Sequence, residues 1–265
     1  MAKHKLLCVS IIFFLFVSVF RAQNIHADSF LYADYEICLK MCVKDGLVDV
    51  AALKENKHHL LKFLHDIHLL KKAAYDEWSR KEKLAFWINF YNASSLLFLL
   101  KHPYVESITE IEQGPKVKMF SVFGRKISLS GIKHMYLRGY LQDERIHFAI
   151  VSPAKGFPRL RNEAYLGSYI NLQLEEDVQR FIQDTKNVVI DAQNNTIKLS
   201  PLFKWAAVDF VRRYENDIPE LRKFNIRERT VLKFLSNYMP EYREFILRGN
   251  YELTYLEFNW DLNTV

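Results

Sequence analysis

Apolar residues form one almost unbroken block from Leu6 to Phe20, with Lys3, His4 and Lys5 before it and Arg21 and the small Ala22 after it. A block of that length spans about 22 Å as a helix, against about 30 Å of bilayer hydrocarbon, so residues 1–22 read as a secretory signal. An uncleaved membrane anchor through residues 6–20 is the alternative. Beyond residue 22 the pattern becomes periodic. From Asp49 to Lys72, apolar residues at Val50, Leu53, Leu60, Leu61, Leu64, Ile67 and Leu69 keep close to helical spacing and predict one helix or a pair. A second helix is predicted from Ser79, which forms a capping box with Glu82, to about Leu100, where His102-Pro103 ends it. It is apolar on nearly every side and belongs in the middle of the fold.

Downstream, Val117–Val122 and Lys126–Leu129 alternate like a hairpin around a Phe-Gly-Arg turn, and Ser130 is placed to cap a helix reaching Tyr140. The run Ile146-His147-Phe148-Ala149-Ile150-Val151 reads as a buried central strand, closed into a loop by Pro153, Gly156 and Pro158. A long helix is predicted over Asn162–Thr185, then a hairpin over Val188–Ile190 and Ile197–Leu199. Helices follow from Pro201 to Tyr214, over Ile226–Asn237 and over Glu241–Arg248, ahead of an aromatic tail that ends Phe258-Asn259-Trp260-Asp261-Leu262-Asn263. The sum is an α+β fold, one helix-dominated domain over residues 23–265 with a small central sheet and hairpins.

Composition agrees with a core-forming chain: of 265 residues 49% are hydrophobic and 26% charged, with 8 Gly and 7 Pro. The formal charge of +6 overstates the basicity, because losing residues 1–22 removes Lys3, Lys5 and Arg21 and leaves +3. Nucleic acid is therefore not the expected partner; an unidentified protein or small molecule is. The mature chain is expected outside the cytoplasm, secreted or periplasmic, with no membrane span after cleavage. In that setting Cys38 and Cys42 stand either as two buried thiols or as a bridge, although an i, i+4 pair on a helix rarely meets disulfide geometry.

Few residues suggest chemistry. His65 and His68 share a helical face, but His58 lies about 10 Å along the axis, so the His58, His59, His65 and His68 group reads as solvated surface and no metal or cofactor is called. Asn89 and Asn92 put two amides on one face of the apolar helix, where they either tie loops down or orient groups at a site. His147 interrupts the apolar strand and Ser152 follows it at the entry to the loop, a suitable place for a nucleophile with its base. Lys133 and His134 precede them, without a carboxylate positioned to orient an imidazole. The aromatic residues, Trp87, Trp205 and Trp260 among them, are expected to build the core.

Several of these stretches, taken in order, resemble the domain-of-unknown-function 547 family. They are Trp78-Ser79, Ala85-Phe86-Trp87-Ile88-Asn89-Phe90-Tyr91-Asn92, Ile146-His147-Phe148-Ala149, the segment from Pro158 to Tyr165, Leu172-Gln173-Leu174, Ser200 to Trp205, Asp209-Phe210 and Trp260-Asp261-Leu262-Asn263. The resemblance runs over about residues 35–263. It implies a papain- or transglutaminase-like fold and a thiol-hydrolase arrangement of Glu, His and Cys, in which a thiolate attacks a carbonyl and histidine takes its proton.

This chain keeps the histidine as His147 and departs elsewhere. The family's cysteine position holds Ser152, its second cysteine position holds Phe157, and its Ile-Glu-His has become Ile132-Lys133-His134. Lys133 cannot hold an imidazolium. The leading expectation is a catalytically degenerate relative acting as a binding module. A hydrolase or acyl-transfer enzyme using Ser152, with Lys133 or His147 as base, is the alternative, and a purely structural protein is the third reading. Asn89, Asn92 and His134 are the candidate binding residues. Arg161 is read as anchoring its loop through Glu163 or backbone carbonyls, with binding of a substrate carboxylate as the alternative, and neither it nor Arg159 is assigned to the site.

Overall fold

The computed structural model describes residues 30–265 apart from 103–104, 108–109, 111–113 and 216–218; residues 1–22, expected to be a secretory signal, lie outside the described residues. Helix α1 (Ala33–Cys42), which the pattern did not reveal, leads into a two-residue hairpin, β1 (Val43–Lys44) with β2 (Leu47–Val48). Its turn, Asp45-Gly46, takes positive φ at both positions, the backbone a tight hairpin requires. Helices α2 (Val50–Glu55) and α3 (Lys57–Leu69) are the expected pair, followed by the short α4 (Lys72–Asp76). Cys38 and Cys42 are both buried and free, and burial raises both thiol pKa values.

Helix α5 (Arg80–Lys101) is the centre of the molecule. Ser79 and Glu82 form both bonds of the capping box, at 3.2 and 2.8 Å. Nearly every residue from Leu84 to Leu99 is buried, so a helix takes the place where a central sheet was expected. The sheets lie elsewhere. Strands β3 (Phe120–Val122) and β4 (Arg125–Ile127) form one hairpin, while β5 (Val188–Asp191) pairs antiparallel with β6 (Thr196–Leu199). Strand β7 (Glu252–Tyr255), from the aromatic tail, joins β6 in parallel.

Four predictions change. The cap of the next helix is Ser128, which accepts from the Gly131 N–H, and not Ser130; α6 (Leu129–Gly131) then widens into a π-helical stretch over Ile132–Leu141. The segment around His147 is no strand but a 3-10 turn, Glu144–Phe148. Asp143 caps that turn and also chelates the Arg145 guanidinium at 3.0 and 2.8 Å, which pins the chain in a bend. Its side chains are buried all round, Phe148 in one core and Ile146 and Ala149 in the other, so the apolar run carried no period to read.

The long helix shortens to α7 (Ile170–Ile182), because tertiary partners capture the backbone before it. The N–H groups of Ala164, Tyr165 and Leu166 donate to Glu36, Asn89 and Gln173, and the Ala164 and Tyr165 carbonyls accept from Gln173 and Asn89. Finally, Trp87 is fully buried, but Trp205 and Trp260 are 46% and 40% exposed, in a cluster with Phe157 and Phe258 that packs ring on ring at the surface.

Helices α8 (Pro201–Tyr214), α9 (Ile226–Tyr238) and α10 (Arg243–Arg248) complete the chain. Two hydrophobic cores result, one around α1, α3 and α5, the other between α7, α8 and α9, and Phe157 packs against both. Among the described residues no helix is long and apolar enough to cross a membrane.

Asn92→Ala strands the buried Val151 N–H and leaves the Ala149 carbonyl only the long bond from the Tyr165 hydroxyl at 3.4 Å, and should cost roughly 2–3 kcal/mol. Ser79→Ala, which removes one cap bond at an exposed helix end, should cost about 1 kcal/mol. Urea denaturation of the two variants beside the parent checks both the values and their order.

Candidate functional site

The π-helical stretch presents Lys133, His134 and Arg138 toward α8, and the 3-10 turn brings His147 in from below them. His147 is 97% buried, and its Nε2 lies 2.7 Å from Asp209 Oδ2 on α8. A carboxylate only accepts, so Nε2 carries the proton and Nδ1 keeps the lone pair. Arg138 Nε donates to the same Asp209 oxygen at 2.5 Å, and its Nη1 stands 3.2 Å from His134 Nδ1. Arg212, one turn beyond Asp209, fixes the stretch by donating to the Arg138 carbonyl at 3.1 Å.

Asp209 is thus the orienting carboxylate that the sequence around His147 lacked. Burial acts to raise its pKa, but the bonds from His147 and Arg138 outweigh that and hold it at about 2. For His147 burial is the main cause and pushes the pKa down to about 4; Asp209 opposes the shift, and the Lys133 and Arg138 charges reinforce it. The imidazole is neutral at physiological pH. Lys133 is lowered to about 8 by burial and by Arg138, against the pull of Asp209. Lys133 makes no ion pair among the described residues, since Asp143 is taken by Arg145, and Glu144 by Tyr214 and Arg213.

Lys133, His134 and His147 therefore meet around Asp209 and Arg138. Ser152 does not join them: it is half-buried, and its hydroxyl makes no hydrogen bond to any of the five. Asn89 and Asn92 are spent on backbone, Asn89 clamping Tyr165 from both sides and Asn92 spanning Ala149 and Val151. Both amides thereby support irregular backbone. Arg161 is an anchor too, bonded to Glu163 at 3.1 Å, Glu176 at 2.8 Å and Asp177 at 2.9 Å. Asp209 and Arg138 were missed by sequence reasoning. The signal for Asp209 was present, in its place one turn after Trp205 within a quoted motif, but nothing local linked it to His147.

A sizeable cavity lies elsewhere. A cleft of about 710 Å³ opens between the two cores, with Phe148, Phe157, Phe181 and Phe258 among its walls and Lys155, Arg159, Arg180 and Lys186 around it. Neither His147, Ser152 nor Lys133 lines it. Gly156 is essential to its shape, because a Cβ there would lie 2.7 Å from the Phe258 ring.

Acid should destabilise the protein through the buried pair. Unfolded, His147 binds its proton near pH 6.5; folded, only near 4, so stability is full above 6.5 and falls as pH drops toward 4. Asp209, at about 2 against 3.8, continues the loss in the same direction below that. Lys133 has the same sign at the other end: the unfolded chain binds more protons between pH 8 and 10.5, so stability rises with pH across that window. The check is a set of urea midpoints across pH together with the imidazole NMR shift of His147, which should stay that of a neutral ring down to about pH 5. An imidazolium signal at pH 6 would show that the buried ring is not held neutral.

Comparison with known proteins places part of this architecture in a family. Residues 75–182, which run from the end of α4 through α7 and include Lys133, His147 and Ser152, match the family model described as "Protein of unknown function, DUF547". No curated protein and no solved structure matches the chain. The segment that carries α5, the π-helical stretch, the His147 turn and the following loop lies inside the match, and residues 75–182 carry a DUF547 domain.

Proposed function

We propose that this protein is an exported DUF547-domain binding module in which the ancestral hydrolytic chemistry has lapsed. The observation that carries this reading is the state of His147. A serine or cysteine mechanism passes through an imidazolium, and here burial and two flanking cations oppose that charge while the one carboxylate that would stabilise it is shared with Arg138. Ser152 has no base in hydrogen-bond contact. The resemblance puts Phe157 where the family has its second cysteine, and Phe157 lines the open cleft. A ligand-holding cavity supports binding without requiring chemistry at Ser152.

One observation favours a second reading. Lys133 is half-buried, unpaired among the described residues and shifted to about 8, as the base of a serine–lysine pair would be. Export rests on the apolar block at residues 6–20, with cleavage after residue 22.

A fluorophosphonate probe separates the readings. The purified protein should remain unlabelled under conditions in which a control serine hydrolase reacts; labelling that disappears in both Ser152→Ala and Lys133→Ala would make Ser152 an activated nucleophile and overturn the proposal. For export, the secreted protein should begin at residue 23, and recovery of residues 6–20 in a membrane fraction would favour the anchor.

A further inference from the structure

Next to the cleft is a smaller chamber of about 270 Å³, and the two share Asp45, Arg159 and Arg180 as common walls. The chambers differ in chemistry. The larger has an aromatic lining, whereas the smaller is walled by Arg159, Arg161 and Arg180 with Asp45 as its one acidic side chain. The donors of Arg161 are spent on Glu163, Glu176 and Asp177, but those of the other two arginines are not.

Arg159 gives one bond to the Asp45 carbonyl at 3.1 Å and stands 3.8 Å from Asp184. Among the described residues Arg180 pairs with Asp177, at 3.4 Å, and that carboxylate is already satisfied by Arg161 and by the Tyr165 hydroxyl at 2.6 Å. Both guanidinium groups are about half exposed and keep N–H groups free. The fold also makes room for this placement. Gly46, at φ +79°, sits where a Cβ would lie 2.4 Å from the Arg159 Cβ, so the stem of Arg159 crosses the hairpin turn only because residue 46 has no side chain. Around the whole cleft basic and acidic side chains balance, with Lys155, Arg159, Arg180 and Lys186 facing Asp45, Asp177, Asp184 and Glu257. The positive excess is confined to the arginine chamber.

We propose that the paired chambers form a binding site for an amphipathic organic anion, its apolar body lying along Phe157, Phe181 and Phe258 and its carboxylate or phosphate held between Arg159 and Arg180. This deepens the binding-module reading and rests on it. Arginine pairs hold planar or tetrahedral oxyanions through parallel N–H bonds, while a wall of phenylalanine rings, Phe157 and Phe258 packed edge to face, takes an alkyl or aryl chain without hydrogen-bond demands. Cavities of this size hold ligands of drug-like dimensions.

The test is displacement of 8-anilinonaphthalene-1-sulfonate from the purified protein by decanoate, decyl phosphate and decanol. At least one of the two anions should displace the dye at about tenfold lower concentration than decanol, and which anion is better distinguishes a carboxylate from a phosphate ligand. Arg159→Gln and Arg180→Gln should each lose most of that preference, with decanol unchanged, and both arginines are exposed enough that the variants should melt with the parent. Phe258→Ala should weaken all three competitors. Equal displacement by decanol and both anions, or anion binding indifferent to both arginine variants, would overturn the anion assignment while leaving a binding cleft. If none of the three competes and the fluorophosphonate probe labels Ser152, the binding reading itself falls, and this inference with it.

Discussion

Two amides on one apolar helix hold the rest of the architecture in register. Asn89 and Asn92 lie a turn apart on α5, each with a carbonyl oxygen and an amino group available, and each grips the backbone of a segment that has no ladder of its own. Buried backbone polar groups need partners, and irregular chain finds them only where side chains reach in. Asn92 supports the end of the His147 turn and Asn89 the approach to α7. These two segments can be irregular and still buried because α5 supplies what a neighbouring strand would otherwise provide.

That scaffold delivers His147 to a place where its charge state is decided by others. Asp209 comes from α8 and Arg138 and Lys133 from the π-helical stretch, so three elements converge on one imidazole. The carboxylate alone would favour protonation, but burial removes the water that would stabilise an imidazolium and the two cations add repulsion. The resulting arrangement has the parts of a catalytic dyad and the electrostatics of a structural one. The stretch that carries Lys133 and Arg138 is itself π-helical, a rare backbone form that recurs at functional sites.

The cleft follows from the division into two cores. The loop between the His147 turn and α7 crosses from one core to the other, and Phe157 packs on both. The aromatic tail folds back over that crossing, with the Gly156 N–H donating to Asn259 and the Lys155 N–H to Asp261, and Phe258 closes the wall against Gly156. Space remains where neither core reaches.

Much of this was legible along the chain. The capping box at Ser79 and Glu82, the all-round apolar α5, the hairpins and the proline-led α8 depend on neighbours within a few residues, and short-range chemistry is what a sequence displays. The family likeness was also visible, because ordered motifs persist without coordinates. What could not be read were the places where a distant group won. Ile146–Val151 has the composition of a strand, yet Asp143 and Arg145 bend it and Asn92 receives it. Asn162–Tyr169 has the pattern of a helix, yet Glu36, Asn89 and Gln173 take its hydrogen bonds. Asp209 lies 62 residues from His147, and Arg159 meets Gly46 across more than 100 residues of chain. By itself, then, the sequence determined most of the helices, the Ser79 cap of α5 and the order of the family-like motifs. Tertiary structure decided the charge of His147, the isolation of Ser152 and the position of the cleft, because each depends on burial and on partners that only folding brings together.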